Sequence, residues 1–350
     1  SFPFVQPYFG LGNSLQTAQG GSGAVGGWVE LARTTLGSAG DDIDVSSLAD
    51  KRYYMLLTDI QPTGSVDSLF RINNLTSSTY AVRYSVNGGA DGTTTSQTSD
   101  QLQDSGAPTT PYFGVAHVAN LSANEKLWKW HNCQQNAAGA GTAPTRVETV
   151  GKNSLTGAVI SQFNLDNGGT GSYDTGSELV VLGWDPADTH TTNFWEELYT
   201  GSGDAGSDTG VSGFTAKKYL WIQAYLDGMP SGGNVDMVIN GAASSNYAVR
   251  YNINGGTDAT LTSRSDNLVY LGIGGETSGL INIFMVNDGT NEKLGIVHTN
   301  VVYTAGASNA PNRQENVVKD ANTAQVTDIE FKPSSGSWGA ASEFRIWGSD

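Results

Sequence analysis

The sequence predicts an all-β protein: two tandem homologous β-sandwich domains, jelly-roll-like, preceded by an extended N-terminal arm. Three observations predict it. One stretch of sequence is written twice at a constant offset. Within each copy, apolar and polar residues alternate with period 2, the signature of strands rather than helices. And the composition is that of turns and short strands, with 45 glycines and only 15% charged residues in 350.

The first element is the arm, residues 1–27, which carries no charged side chain. Phe2, Phe4, Tyr8 and Phe9 are apolar anchors, and Pro3 and Pro7 favour an extended backbone. The end is glycine-rich and flexible in composition. A solvated tail is ordinarily charged, so the reading is an assembly arm that packs on its own domain or on a neighbouring subunit. The alternative is a disordered terminus.

The repeat follows. Trp28-Val-Glu-Leu31 recurs as Trp195-Glu-Glu-Leu198, and Tyr80-Ala-Val-Arg-Tyr84 recurs unchanged as Tyr247-Ala-Val-Arg-Tyr251. Asn87-Gly-Gly89 recurs as Asn254-Gly-Gly256, Asn124-Glu-Lys-Leu127 as Asn291-Glu-Lys-Leu294, and Ala143-Pro144-x-Arg146 as Ala310-Pro311-x-Arg313. Each pair is offset by 167 residues, too long for a solenoid repeat or a propeller blade. Each copy is therefore a domain with its own core: residues 28–186 and residues 187–350, joined by a linker at about 185–194.

Strands follow from the alternation. Tyr80, Val82, Tyr84 and Val86 share one face and Arg83 the other; Tyr247, Val249, Tyr251 and Ile253 repeat the pattern. Asn-Gly-Gly comes next, where a tight hairpin needs positive φ. Further strands are predicted at Tyr53–Ile60 with Tyr219–Leu226, Leu69–Asn73 with Met237–Asn240, and Phe113–Ala119 with Ile281–Asn287. Leu127–Asn132 pairs with Leu294–Asn300, and Glu178–Gly183 with Glu343–Gly348. Several short strands separated by such turns argue for a sandwich per copy.

Composition also excludes function classes. One cysteine forbids an intrachain disulfide and any multi-cysteine metal site. A net charge of −16 argues against nucleic acid and against anionic membranes as partners. It divides as −7 over residues 28–186 and −9 over 187–350, so neither copy is a basic module. No apolar run approaches the ~18 residues of a membrane-spanning helix.

Several of these segments resemble motifs of tailed-bacteriophage virion proteins. Ile239-Asn-Gly-Ala-Ala-Ser-Ser-Asn-Tyr-Ala-Val-Arg250 is similar to their Phe-Asn-Gly-Asp, small loop, Asn-Tyr and strand. Gly171-Ser-Tyr-Asp-Thr-Gly-Ser-Glu-Leu-Val-Val-Leu-Gly183 and Gly336-Ser-Trp-Gly-Ala-Ala-Ser-Glu-Phe-Arg-Ile-Trp-Gly348 resemble a common phage ending. The Trp-x-Glu-Leu opening before Lys51-Arg52-Tyr53 and Lys217-Lys218-Tyr219 fits the same group. The first copy departs, with Ile72-Asn-Asn-Leu75 in place of Asn-Gly. The resemblance implies a non-enzymatic β-rich structural protein located on the virion.

Catalytic chemistry is sparse. Gly21–Gly26 and Gly201–Gly206 match G-x-G-x-x-G but lack the strand and helix a dinucleotide site requires, and read as chance. No metalloprotease, nucleophile-elbow, P-loop or EF-hand signature occurs. No catalytic residue and no cofactor is expected. His131 and His298 are in register between copies, with no acidic partner fixed by sequence, and the default reading is a structural histidine hydrogen-bonded near a strand end. Cys133 falls opposite Asn300 and reads as a tolerated buried thiol. Asp41, Asp42 and Asp44, with Asp204 and Asp208, are weak calcium-ligand candidates in loops; a solvated acidic loop is the plainer reading. The tryptophans read as core or interface, Trp28 and Trp195 as a paired packing anchor, and no residue is assigned to a glycan.

The leading expectation is a multi-copy phage structural protein: capsid decoration, vertex, or tail or fibre component. Its partners are then itself, as a homo-oligomer for which a trimer is one order, and other virion proteins. The alternative is a carbohydrate-binding or host-receptor-binding adhesin module with a host glycan as partner.

Overall fold

The computed structural model describes residues 27–102, 106, 108–188, 192–202, 206 and 209–350. The arm anchors Phe2, Phe4, Tyr8 and Phe9, and the acidic residues Asp204 and Asp208, lie outside the described residues. Those that are described form strands and turns, with no helix.

The first copy contains β1 (Val29–Thr35), β2 (Asp42–Val45), β3 (Tyr53–Ile60), β4 (Ser68–Ile72), β5 (Tyr80–Val86) and β6 (Gly92–Gln97). It continues with β7 (Asp100–Gln101), β8 (Tyr112–Ala119), β9 (Lys126–Gln134), β10 (Thr145–Asn153), β11 (Phe163–Asn167) and β12 (Glu178–Trp184). They make an eight-stranded sheet, β1-β12-β3-β8-β9-β10-β5-β6, and a four-stranded sheet, β2-β11-β4-β7.

The second copy supplies β13 (Glu196–Ser202), β14 (Thr209–Ser212), β15 (Tyr219–Asp227), β16 (Val235–Ile239), β17 (Tyr247–Ile253) and β18 (Ala259–Arg264). Then come β19 (Asn267–Tyr270), β20 (Ser278–Val286), β21 (Lys293–Val302), β22 (Asn312–Asp320), β23 (Asp328–Pro333) and β24 (Glu343–Ser349). Their order, β13-β24-β15-β20-β21-β22-β17-β18 over β14-β23-β16-β19, reproduces the first copy strand for strand. Every pairing is antiparallel, so the chain is all-β as the alternation predicts.

Each sandwich closes on its own core. In the first, Phe70, Ile72, Phe163 and Leu165 of the small sheet meet Tyr54, Leu56, Trp128, Trp130 and Val181 of the large one. In the second, Met237, Ile239, Ile329 and Phe331 meet Leu220, Ile222, Ile283 and Phe344.

The repeated motifs hold matching joints. Lys126 is buried and its ammonium donates to the carbonyls of Leu121 (2.7 Å) and Asn124 (2.6 Å). Lys293 does the same for Asn291 (2.6 Å) and Thr323 (2.9 Å). This is the reason Asn-Glu-Lys-Leu is written twice: the lysine organises the loop before its strand. Tyr80 and Tyr247 likewise place a hydroxyl on the backbone N–H of Ile72 (3.1 Å) and Ile239 (2.9 Å).

The hairpins take the predicted positive φ, at Asn87 (52°) and Gly88 (69°), and at Asn254 (52°) and Gly255 (76°). The Asn-Asn departure is absorbed without change of turn. Asn74 adopts φ 52° where the second copy has Gly241 at 63°, a conformation asparagine tolerates better than most residues.

A third core was not expected. The eight-stranded sheets are apolar on both faces, and their outer faces pack on each other. Met55, Leu57, Phe113, Val115, Cys133, Val180 and Leu182 meet Trp195, Tyr219, Phe284, Ile296, Val317 and Trp347. The order of layers is therefore small, large, large, small. Equivalent strands meet across the middle, β9 on β21, β8 on β20 and β10 on β22, which is the pattern of an approximate twofold axis. The axis passes by His131 and His298, whose rings stand edge to face at 4.6 Å.

Candidate binding groove and histidine cluster between the repeats

On one side of this axis the two large sheets part to form a groove of about 830 Å³. That volume lies within the range typical of small-ligand sites. The first repeat lines it with Trp28, Tyr53, Trp184 and His117, and the second with Trp221, Gln223, Asn282 and Phe284. Tyr53 stacks on Trp184 with ring centres 5.6 Å apart and an angle of 21°. Trp28 meets the edge of His117 at 6.3 Å.

Few polar groups interrupt the aromatic wall. Asn282 Oδ1 accepts from Trp221 Nε1 (2.7 Å) and Gln223 Nε2 (3.1 Å). Lys129 lines the same space and is exposed.

The groove ends inward on a polar cluster. His131 on β9 stands directly opposite Glu148 on β10, and His298 on β21 opposite Glu315 on β22. The two copies thus bring one His–Glu cross-strand pair each to the axis. Ligand atoms of His131, Glu148 and His298 all lie within 4.8 Å of one another, the one such group of histidine, cysteine and carboxylate side chains among the described residues. Arg146 crosses between repeats. It donates to Asp258 through Nη2 (2.7 Å) and Nε (3.1 Å), and through Nη1 to Glu148 (2.7 Å) and Glu315 (3.1 Å).

Burial, reinforced by Lys129 and His298, pushes His117 down to about 4. Burial also brings His298 to about 4, against the pull of Glu315, and holds His131 well below its ordinary value. All three imidazoles are therefore neutral at pH 7.

The opposite side of the axis is closed. Lys218 Nζ lies 3.3 Å from both Asp59 Oδ2 and Glu178 Oε1, and the Tyr219 hydroxyl donates to Glu178 Oε1 at 2.8 Å. Arg33 Nη1 stands 3.5 Å from the same carboxylate, and Thr35 donates to its other oxygen. Burial raises Asp59, with Lys218 opposing. Burial works the same way on Glu178, but Lys218, Thr35, Tyr219 and Arg33 outweigh it and leave the carboxyl below its usual range.

The sequence-level candidates fare unevenly. Asp42 and Asp44 are not in a loop: they lie on β2, pointing outward between buried Ile43 and Val45. Asp44 accepts from Asn164 Nδ2 (2.6 Å) and Asp41 from Asn167 Nδ2 (3.2 Å), and the three carboxylates do not converge on one another. His131 and His298 sit mid-strand rather than at a strand end, and His131 Nδ1 has no hydrogen-bond partner. The missing acidic partners were two residues beyond the repeated Arg146 and Arg313, at Glu148 and Glu315. Cys133 is fully buried, and burial pushes its thiol up to about 12, so it is no nucleophile. Trp28 and Trp195 both pack on the core between the repeats, to different depths. Trp195 is buried against Phe194 and Trp221, while Trp28 lines the groove.

No protein-family model matches the chain, and no curated protein does. Among solved structures, the chain is similar to the LG1–3 region of the laminin alpha2 chain at 10% identity and a TM-score of 0.22. The match covers 88% of this chain and 64% of that one. It is also similar to domains LG4–5 of the mouse laminin alpha1 chain, at 11% identity and a TM-score of 0.19, covering 99% of this chain and 93% of that one.

Proposed function

We propose that this chain is a non-enzymatic, multi-copy structural protein of a phage virion that carries a saccharide-binding groove between its two sandwiches. The observation behind the binding role is the groove itself. Flat aromatic faces at Tyr53, Trp184 and Trp28 suit the apolar face of a pyranose, and Gln223, Asn282 and Lys129 suit its hydroxyl or acidic edge. The virion setting rests on the turn-and-strand motifs that resemble phage proteins. The non-enzymatic reading is supported by the inert thiol and by a groove wall in which aromatic residues outnumber ionisable ones.

A glycan array on the full chain tests the binding role, followed by calorimetry with any saccharide retained. Tyr53→Ala and Trp184→Ala should each weaken binding by about two- to tenfold, since an aromatic contact of about 0.5–1.5 kcal/mol corresponds to roughly that range. An array without hits sinks the saccharide assignment.

A second reading has one observation in its favour. Trp28, which follows the uncharged segment carrying Phe2, Phe4, Tyr8 and Phe9 in the sequence, is itself part of the groove wall. If that segment, from the same or a neighbouring copy, is the occupant, removing residues 1–26 should increase quenching of the groove tryptophans by acrylamide. Unchanged quenching leaves the groove to an external ligand.

A further inference from the structure

We propose that His131, Glu148 and His298 form a zinc-class metal site shared between the two repeats. Two imidazoles and a carboxylate are a ligand set that Zn²⁺ takes readily, with a fourth position left open. Three of the chain's four histidines line this one groove.

The geometry points the same way. His131 Nδ1 and Glu148 Oε1 are 3.6 Å apart. That is too long for a hydrogen bond. It is close to the ~3.4 Å that separates two ligand atoms about 2.0–2.1 Å from one tetrahedral zinc. His131 Nδ1 is buried without a hydrogen-bond partner, which a metal ion would supply.

The local charge leaves room for a cation. Arg146 faces three carboxylates, Glu148, Asp258 and Glu315, with one positive charge. Of the further cations near the cluster, Lys129 and Arg313 are exposed, and Arg250 lies half-buried on the far side beside Asp258. Each repeat contributes one histidine, so the ion would tie the two sandwiches together at their axis. His131 and His298 both border the groove, which places the open position on its inner end.

The site is independent of the saccharide reading and is tested without a saccharide. Equilibrium dialysis of the metal-stripped full chain against Zn²⁺, with elemental analysis, should give one ion per chain. Co²⁺ in its place should give the visible absorption of a low-coordinate site. His131→Ala and His298→Ala should each lower the affinity by more than about tenfold. The pair Asp42→Asn with Asp44→Asn should bind as the unmodified chain does. Absence of zinc uptake by the unmodified chain overturns the proposal, and so does uptake that both histidine variants retain. Should a variant fail to fold, imidazole NMR of the unmodified chain decides. Zinc that shifts two of the four histidines supports the site, and zinc that shifts none refutes it.

Discussion

Tyr53 and Tyr219 open equivalent strands, follow equivalent basic pairs, and lead opposite lives. Tyr219 is fully buried, stacked on Phe113 of the other repeat with its hydroxyl on Glu178. Tyr53 is 37% exposed and walls the groove. A duplicated fold packed about an axis should use both sides alike. The difference begins at Asp59, whose place in the second repeat is taken by Tyr225. Lys218 finds Asp59 across the interface and draws that side shut. Arg52, its equivalent, is exposed and finds no such acid among the described residues. One side of the interface is held shut by buried charge, and the other parts to form the groove.

Removing Lys218 should break the closed side most. It would leave Asp59, 2% exposed at its side chain, buried without its cation, and Glu178, 4% exposed, with Arg33 at 3.5 Å as its remaining cation among the described residues. Lys218→Met should therefore cost about 3–5 kcal/mol in denaturant unfolding. A loss below 1 kcal/mol would mean the pairing does not hold the sheets together. Tyr219→Phe comes next. It deletes one hydrogen bond to an ionised partner and should cost about 1.5–3 kcal/mol.

Acid should probe the same side. Glu178 lies below its ordinary value of 4.5 in the folded chain. A depressed carboxyl contributes stability that is full above 4.5 and is lost as pH falls through the folded value. Asp59, raised by burial, acts with the opposite sign: its charged form is the costly one, so its ionisation erodes stability as pH rises. Glu178→Gln should thus flatten the fall in unfolding midpoint below pH 4.5. A variant whose midpoint falls as steeply as that of the unmodified chain would show that the carboxylate is not held by its neighbours.

How much of this was readable follows from which faces carry alternation. β3 begins and ends where its residues predict, at Tyr53 and Ile60, and the Asn-Gly-Gly turns take the φ their residues favour. β6 was invisible because Gly-Thr-Thr-Thr-Ser-Gln is a largely exposed edge strand with no apolar face to show. β10 was missed because its Thr, Arg and Asn are buried by neighbours rather than by their own hydrophobicity. The third core was written in the uninterrupted run Leu179-Val-Val-Leu182, where both faces are buried. The histidine cluster was half legible: the offset aligns His131 with His298, but only strand pairing brings Glu148 and Glu315 to them. The groove was not legible at all, since it depends on how far two sheets part, and Tyr53 and Tyr219 are the same residue.

The smallest expected effect sharpens the comparison furthest. Tyr53→Phe repeats on the open side the substitution that is costly on the closed side. The Tyr53 ring keeps its stack on Trp184 when the hydroxyl is removed, and the residue is already exposed, so no buried partner is stranded. The unfolding free energy should move by no more than about 0.5 kcal/mol, as for other surface substitutions that leave packing intact. Run beside Tyr219→Phe, the pair isolates the interface, because the substitution and the strand position are matched. Equal costs would mean that Tyr53 is also held across the axis and that the groove closes in solution. A cost confined to Tyr219 means that one half of the duplicated interface carries the stability and the other is available to a ligand.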